Sequence, residues 1–180
     1  MEQDGLGCNQ AKIDKVAEVE RFLAVYRAQL QQGDIQQAYK YLLQCVMQSK
    51  AHLSGKFSSE FSFGNISQGY MDFTYFPFFD DFLRERKLRF GVVLNHRDLR
   101  FELWLMGQNE HVQKDYWEKL KNTEWNLHRT EMPRYSVLEA VLIETPDFSN
   151  TDALMNKIER QVLSKTQAII TCLKAVEQNG

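Results

Sequence analysis

Residues 87–107 read KLRFGVVLNHRDLRFELWLMG, and their alternation decides the fold class. In an extended chain Leu88, Phe90, Val92, Phe101, Leu103 and Leu105 fall on one face. Arg89, Gly91, Val93, Arg100, Glu102 and Trp104 fall on the other. Alternation of this kind is the period of a strand, so the stretch predicts strands over 88–95 and 99–106, joined by a turn such as Asn95–Asp98. Pairing 94 with 99 keeps like faces together. It sets Phe90 beside Leu103, Val92 beside Phe101, Arg89 opposite Trp104 and Gly91 opposite Glu102. The apolar face belongs to a core. The mixed face is where function is to be sought. Burying unpaired charge is costly, a purely solvated face has little use for an indole, and Gly inside a strand often marks a close approach.

Outward from the hairpin, the pattern changes twice. Toward the N-terminus, Ile13, Val16, Val19, Leu23, Tyr26 and Leu30 recur at helical spacing up to Gly33, and Ile35, Ala38, Leu42, Cys45, Val46 and Ser49 continue it to about Leu53. The short Gly33–Asp34 junction predicts an antiparallel helical hairpin. Residues 1–10 are expected to form a disordered tail, and 11–180 a single α+β domain. A further strand is expected over 66–76, with Tyr70, Asp72, Thr74 and Phe76 on one side, ended by Pro77. Beyond the hairpin, a helix is expected over 109–121, a strand over 136–143, and a long helix over 150–177 that Ser149-x-x-Asp152 can cap. Adjacent strands bracketed by helices make an antiparallel sheet in an α+β layered fold.

Composition excludes several functions. With 22 basic and 24 acidic residues the net charge is −2, which disfavours non-specific binding to nucleic acid. Hydrophobic content of 43% over 180 residues suits one core. Cys8, Cys45 and Cys172 have neither zinc nor redox spacing. The opening MEQDGLGCNQAK lacks the features of a signal peptide, and no apolar run approaches the ~20 residues of a membrane span, so the cytoplasm is the expected compartment.

The order of helix, three strands, helix and strand is similar to that of a restriction-endonuclease-like core, whose metal chemistry needs carboxylates and a lysine on the middle strands. Here the decisive slot reads Glu102-Leu103-Trp104, with no lysine, and Pro146-Asp147 follows the last strand. His111 and Asp115 are four apart on a predicted helix, which reads as a surface pair rather than a metal site. Neither a Gly-rich phosphate loop nor a nucleophile elbow is present. No metal or cofactor is therefore expected. The polar face gathers Asp72, Thr74, Arg89, Arg100, Glu102 and Trp104, with Trp104 partly exposed and within reach of Arg89. It predicts a non-catalytic binding or interaction module for a protein or small ligand. The alternative is an enzyme or degenerate nuclease relative acting through Asp72 and Glu102.

One pattern also carries a resemblance. It comprises Gly64-x-Ile66-x-Gln68-Gly69-Tyr70-Met71-Asp72-x-Thr74-Tyr75-Phe76, then Phe90-x-Val92-Val93-x-Asn95-His96 and Arg100-Phe101-Glu102-Leu103-Trp104-Leu105. It continues with Gly107-x-Asn109-x-x-Val112-Gln113-x-x-Tyr116-Trp117 and extends through Pro146-Asp147-Phe148 into the last helix. This resembles a small uncharacterised family of bacterial proteins of unknown function. The resemblance implies a bacterial cytosolic protein of about this length and no assigned activity. A weaker similarity around Phe101–Trp125 points to uncharacterised domains found beside nuclease-like modules.

Overall fold

The structure, a computed structural model, describes residues 4–178, with side chains from residue 14 onward. Contacts group the chain into two compact units, Met1–Leu42 and Leu43–Gly180.

The first unit holds helix α1 (Asp4–Gln32) and the start of helix α2 (Asp34–Phe57). Gly33 breaks the helical run in the left-handed region (φ +83°), where a side chain would be strained, and its N–H still donates to the Gln29 carbonyl. One expectation is corrected here. Residues 4–10, expected to be part of a tail, are helical, while residues 1–3 lie outside the described residues. The side chains of 14–32 are exposed, Leu23 and Tyr26 by more than half.

The second unit is built on a five-stranded sheet in the order β1-β2-β3-β4-β5, antiparallel throughout. The strands are β1 (Ser62–Phe63), β2 (Phe73–Phe79), β3 (Leu88–Asn95), β4 (Arg100–Gly107) and β5 (Leu138–Ile143). Between them run helices α3 (Asp81–Glu85) and α4 (Glu110–Leu120), and α5 (Thr151–Gln178) follows the last strand. The α+β class read from the sequence is the class observed.

Where sequence and structure differ, backbone geometry decides. β3 and β4 pair as Asn95↔Arg100, Leu94↔Phe101, Val92↔Leu103 and Phe90↔Leu105, not in the register set by pairing 94 with 99. The faces are unchanged, because the correction moves every partner by two positions. The cause lies in the turn: Asn95 Oδ1 accepts the amides of Arg97 and Asp98, and Leu99 takes a left-handed conformation (φ +49°), so the loop closes one residue later. β2 begins at Phe73 rather than 66 and runs through Pro77 instead of ending there. Left-handed Gly69 (φ +66°) and Met71 (φ +62°) keep the preceding segment out of the strand. Pro77 is tolerated because its missing N–H points to the β1 side, where pairing is brief. On that side the Gly64 amide donates to the Pro77 carbonyl (2.8 Å), and a Cβ on Gly64 would lie 2.6 Å from the proline ring. The last helix starts from Asn150, whose side chain accepts the Ala153 amide, and not from Ser149, whose hydroxyl donates to Asp147.

The first face of the sheet is sealed. Phe76, Phe78, Phe90, Val92, Leu94, Phe101, Leu103, Leu105 and Leu138 are at most 1% exposed. In a unit with a single sheet that burial needs a helical cover. α4 and α5 contact β4 and β5, and they bury Trp117 and Leu120, and Leu154, Ile158, Val162, Ile169 and Leu173. The C-terminal half of α2 is tied to α5 through His52 and Lys56, which share the Glu159 carboxylate. None of the described helices is long and apolar enough to cross a membrane.

Candidate ligand-binding cleft

The second face carries Phe73 and Tyr75 from β2, Arg89, Gly91, Val93 and Asn95 from β3, Arg100, Glu102, Trp104 and Met106 from β4, and Glu139 from β5, as their pairing dictates. Glu102 is 2% exposed and fully engaged. Its Oε1 accepts from Arg100 Nε (2.6 Å) and Asn95 Nδ2 (3.1 Å), and its Oε2 accepts from Trp104 Nε1 (2.6 Å). Arg100 bridges on to Glu144, and the hydrogen bond to Glu102 leads the interactions that raise its pKa above the usual arginine value. Glu102, expected on a ligand face, is thus an internal brace.

Trp104 is also corrected. The alternation predicts it partly exposed and opposite Arg89, but it is 4% exposed and opposite Gly91, with Arg89 one pair along, opposite Met106. The cover comes from the same face. The Phe73 ring meets the indole edge-on with centroids 4.8 Å apart, and Tyr135 meets Phe73 at 6.3 Å. Val93, Trp104 and Met106 form a small buried cluster against which Phe73 and Tyr75 pack. The face is part second core and part opening.

That opening is a cleft of about 360 Å³. Trp104, Met106, Phe73 and Tyr75 line it together with Arg89, Ser67, Gly69, Asp72, Gly107 and Tyr135. Gly91 shapes its floor, since a Cβ there would lie 2.6 Å from the Met106 methyl carbon and 3.6 Å from the Tyr75 ring. Gly91→Ala should therefore fold, because only the flexible end of Met106 has to yield, but the displaced methyl should narrow the cleft. A thermal melt close to that of the wild type, with shifted Met106 methyl and Trp104 indole resonances, is the expected result. A lost fold would show that the floor cannot relax.

Residues 67–72 form the rim. Ser67 bridges to Tyr75 in both directions through the backbone. Gly69 is obligatory, because a Cβ would lie 2.1 Å from the Phe73 carbonyl oxygen. Asp72 Oδ1 accepts the amides of Tyr70 and Phe73, and these bonds hold its pKa below the usual aspartate value. Tyr70 stands out into solvent, 97% exposed. Thr74, expected beside Asp72 on the polar face, lies opposite Leu94 on the sealed face and is fully buried. There its hydroxyl donates to the Gln68 carbonyl and contacts His96 Nε2 at 2.8 Å, while the His96 amide donates to the Asp72 carbonyl. Thr74 is an anchor for the rim rather than a contact for a ligand.

The rim gives an acid response with a definite sign. Partial burial lowers the His96 pKa below 6.5, against a smaller opposing pull from Asp72. The unfolded chain then binds the proton first as pH falls, so stability is complete above about pH 6.5 and declines below it until the folded-state pKa is passed. Asp72, whose pKa is lowered from 3.8, adds its own loss only below that pH. Urea midpoints at pH 7.5 and 5.5 should fall in this order for the wild type, and by less for His96→Gln. Equal pH slopes in the two proteins would contradict it.

Of the six expected site residues, the structure brings Arg89, Trp104 and Asp72 to the cleft. Arg100 and Glu102 form the brace beside it, and Thr74 faces away. The two carboxylates of the enzyme alternative do not line one opening: Asp72 lies at the rim, while Glu102 is enclosed by Trp104, Asn95 and Arg100. Among the described residues, no three of His, Cys, Asp and Glu come together as a metal site. His111 and Asp115 are 3.4 Å apart and exposed, a helix-surface pair.

A family model described as a domain of unknown function, DUF7000, matches residues 19–173. The chain belongs to the DUF7000 family. The DUF7000 match takes in the whole sheet and every residue lining the cleft, from Ser67 to Tyr135. No curated protein and no solved structure matches the chain, and the similarity in element order to a restriction-endonuclease-like core is not confirmed. Sequence reasoning missed Phe73, Tyr75, Met106 and Tyr135 as cleft residues. Phe73 and Tyr75 could have been found by carrying the alternation one strand further, and Met106 by carrying it two residues past Trp104. Tyr135 sits outside any strand, where alternation carries no signal.

Proposed function

We propose that this protein is a non-catalytic binding module that takes a small ligand, or a single side chain of a partner, in the cleft on the second face of its sheet. The observation that carries this reading is the division of labour within one sheet. One face is sealed, while the other keeps an opening of about 360 Å³ over a floor already fixed by the brace of Glu102, Arg100, Asn95 and Trp104. That volume is at the small end of ligand sites, which span roughly 300–1,000 Å³ and combine an aromatic lining with a few convergent polar groups. A floor held by hydrogen bonds before a ligand arrives lowers the ordering cost of binding.

Screening a fragment library while mapping shifts in the amide and indole spectrum tests the reading. Fragments that bind are expected to move the Trp104 indole and the Gly69 and Gly107 amides together. A screen in which no fragment moves these signals, or in which all hits map elsewhere, overturns it.

A further inference from the structure

We infer that the ligand of this cleft is a small carboxylic acid with a flat apolar body, its carboxylate held by Arg89; the inference rests on the binding reading above and specifies its chemistry. Arg89 Nε is enclosed and makes no hydrogen bond within the structure. Buried donors are nearly always satisfied, and leaving one without a partner is costly. Among the described residues no acid on this face bonds Arg89 Nε. Asp72 Oδ1 holds two rim amides, Glu102 holds Arg100, Asn95 and Trp104, and Glu139 holds Arg129 and Ser136. The neighbouring arginines are paired, Arg84 with Asp81, Arg86 with Glu177 and Arg100 with Glu102. Arg89 therefore brings a planar, permanently charged group, with no partner at Nε, to the lining of an opening shared with Phe73, Tyr75, Trp104, Tyr135 and Met106.

The lining sets the rest of the ligand. A guanidinium fork matches a carboxylate in two parallel bonds, and aromatic walls favour a flat, apolar body over a sugar or a peptide backbone. Among the described residues Arg89 is the one basic residue lining this cleft, which suits a single negative charge better than a phosphate dianion. On its other side Arg89 also lines a smaller opening of about 240 Å³ with Arg84, Lys87 and Gln108, where a more highly charged group would settle instead. That gives a way to tell the two apart.

The test titrates the full chain at neutral pH with phenylacetate, phenylacetamide and phenyl phosphate, following the Trp104 indole and the amides of Gly69, Gly107, Lys87 and Gln108. Phenylacetate is expected to bind at Trp104 and Gly69 at least about tenfold more tightly than its amide, the ratio one charge-assisted bidentate contact supports. Arg89→Gln is expected to abolish that preference, with Arg89→Lys in between. The wild-type acid-to-amide ratio stands by itself if a variant does not fold. Equal binding of acid and amide in the cleft overturns the inference while leaving the binding reading intact. So does tighter binding of phenyl phosphate with shifts at Lys87 and Gln108. Failure of all three probes to reach the cleft also overturns the inference, and the fragment screen then decides separately whether the cleft binds anything.

Discussion

Phe101→Ala is expected to lower the free energy of unfolding by about 3–5 kcal/mol. Phe101 has no solvent exposure, pairs with Leu94 across the hairpin and with Ile143 in β5, and meets the Phe148 ring at 6.4 Å ahead of α5. Truncation removes a ring from the place where sheet and helical layer meet, and hydrogen-bonded strands cannot collapse to fill the space. Against a total stability of roughly 5–15 kcal/mol for a domain of ordinary size, the loss is a large fraction. Equilibrium urea unfolding followed by far-UV circular dichroism gives the value. A change below about 1 kcal/mol would mean that the first face is not the main core.

Glu102→Gln comes second. The carboxylate accepts from Arg100, Asn95 and Trp104, so an amide in its place can keep only part of that pattern and sets an NH2 group against another donor. Loss of the charge also leaves Arg100 with only its more exposed partners, Asp98 and Glu144. A cost of about 2–4 kcal/mol follows from breaking a buried charge network on one side. Two measurements separate this brace from a merely tolerated polar group: the Trp104 indole proton resonance should move upfield as its acceptor is lost, and a double-mutant cycle with Arg100→Ala should show strong coupling. Additive effects and an unmoved indole would remove the brace from the explanation of the cleft floor.

The faces of the central hairpin were legible because alternation is independent of which partner each residue meets. The register was not, because a shift of two positions preserves every face, so the choice fell to the Asn95 turn and the left-handed Leu99. Likewise Thr74 and Phe76 were correctly placed on one side of β2, but alternation alone did not say that this side meets Leu94 and not Arg89. Pro77 read as a terminus because a proline cannot donate. Only the brevity of β1, and the glycine opposite, show that no donor was needed there. For the site, Arg89 and Trp104 stood out as unusual on a strand face. What could not be read was that Phe73 would close over the indole, turning an expected exposed anchor into a buried floor. α1 was legible as a helix from its spacing, whereas its exposure along 14–32 depends on packing that spacing does not encode.

The separation of the two faces of the sheet is tested most directly by following Trp104 indole, Arg89 Nε–H and Leu103 and Leu105 methyl resonances in one titration with a fragment that binds the cleft. Trp104 and Arg89 line the cleft, and Leu103 and Leu105 lie beneath it on the sealed face of the same strand as Trp104. The expected result is that the first two signals move together and saturably with one midpoint while the methyls stay in place. Methyl resonances that move while Trp104 and Arg89 remain still would contradict it, placing the binding surface somewhere other than the open face.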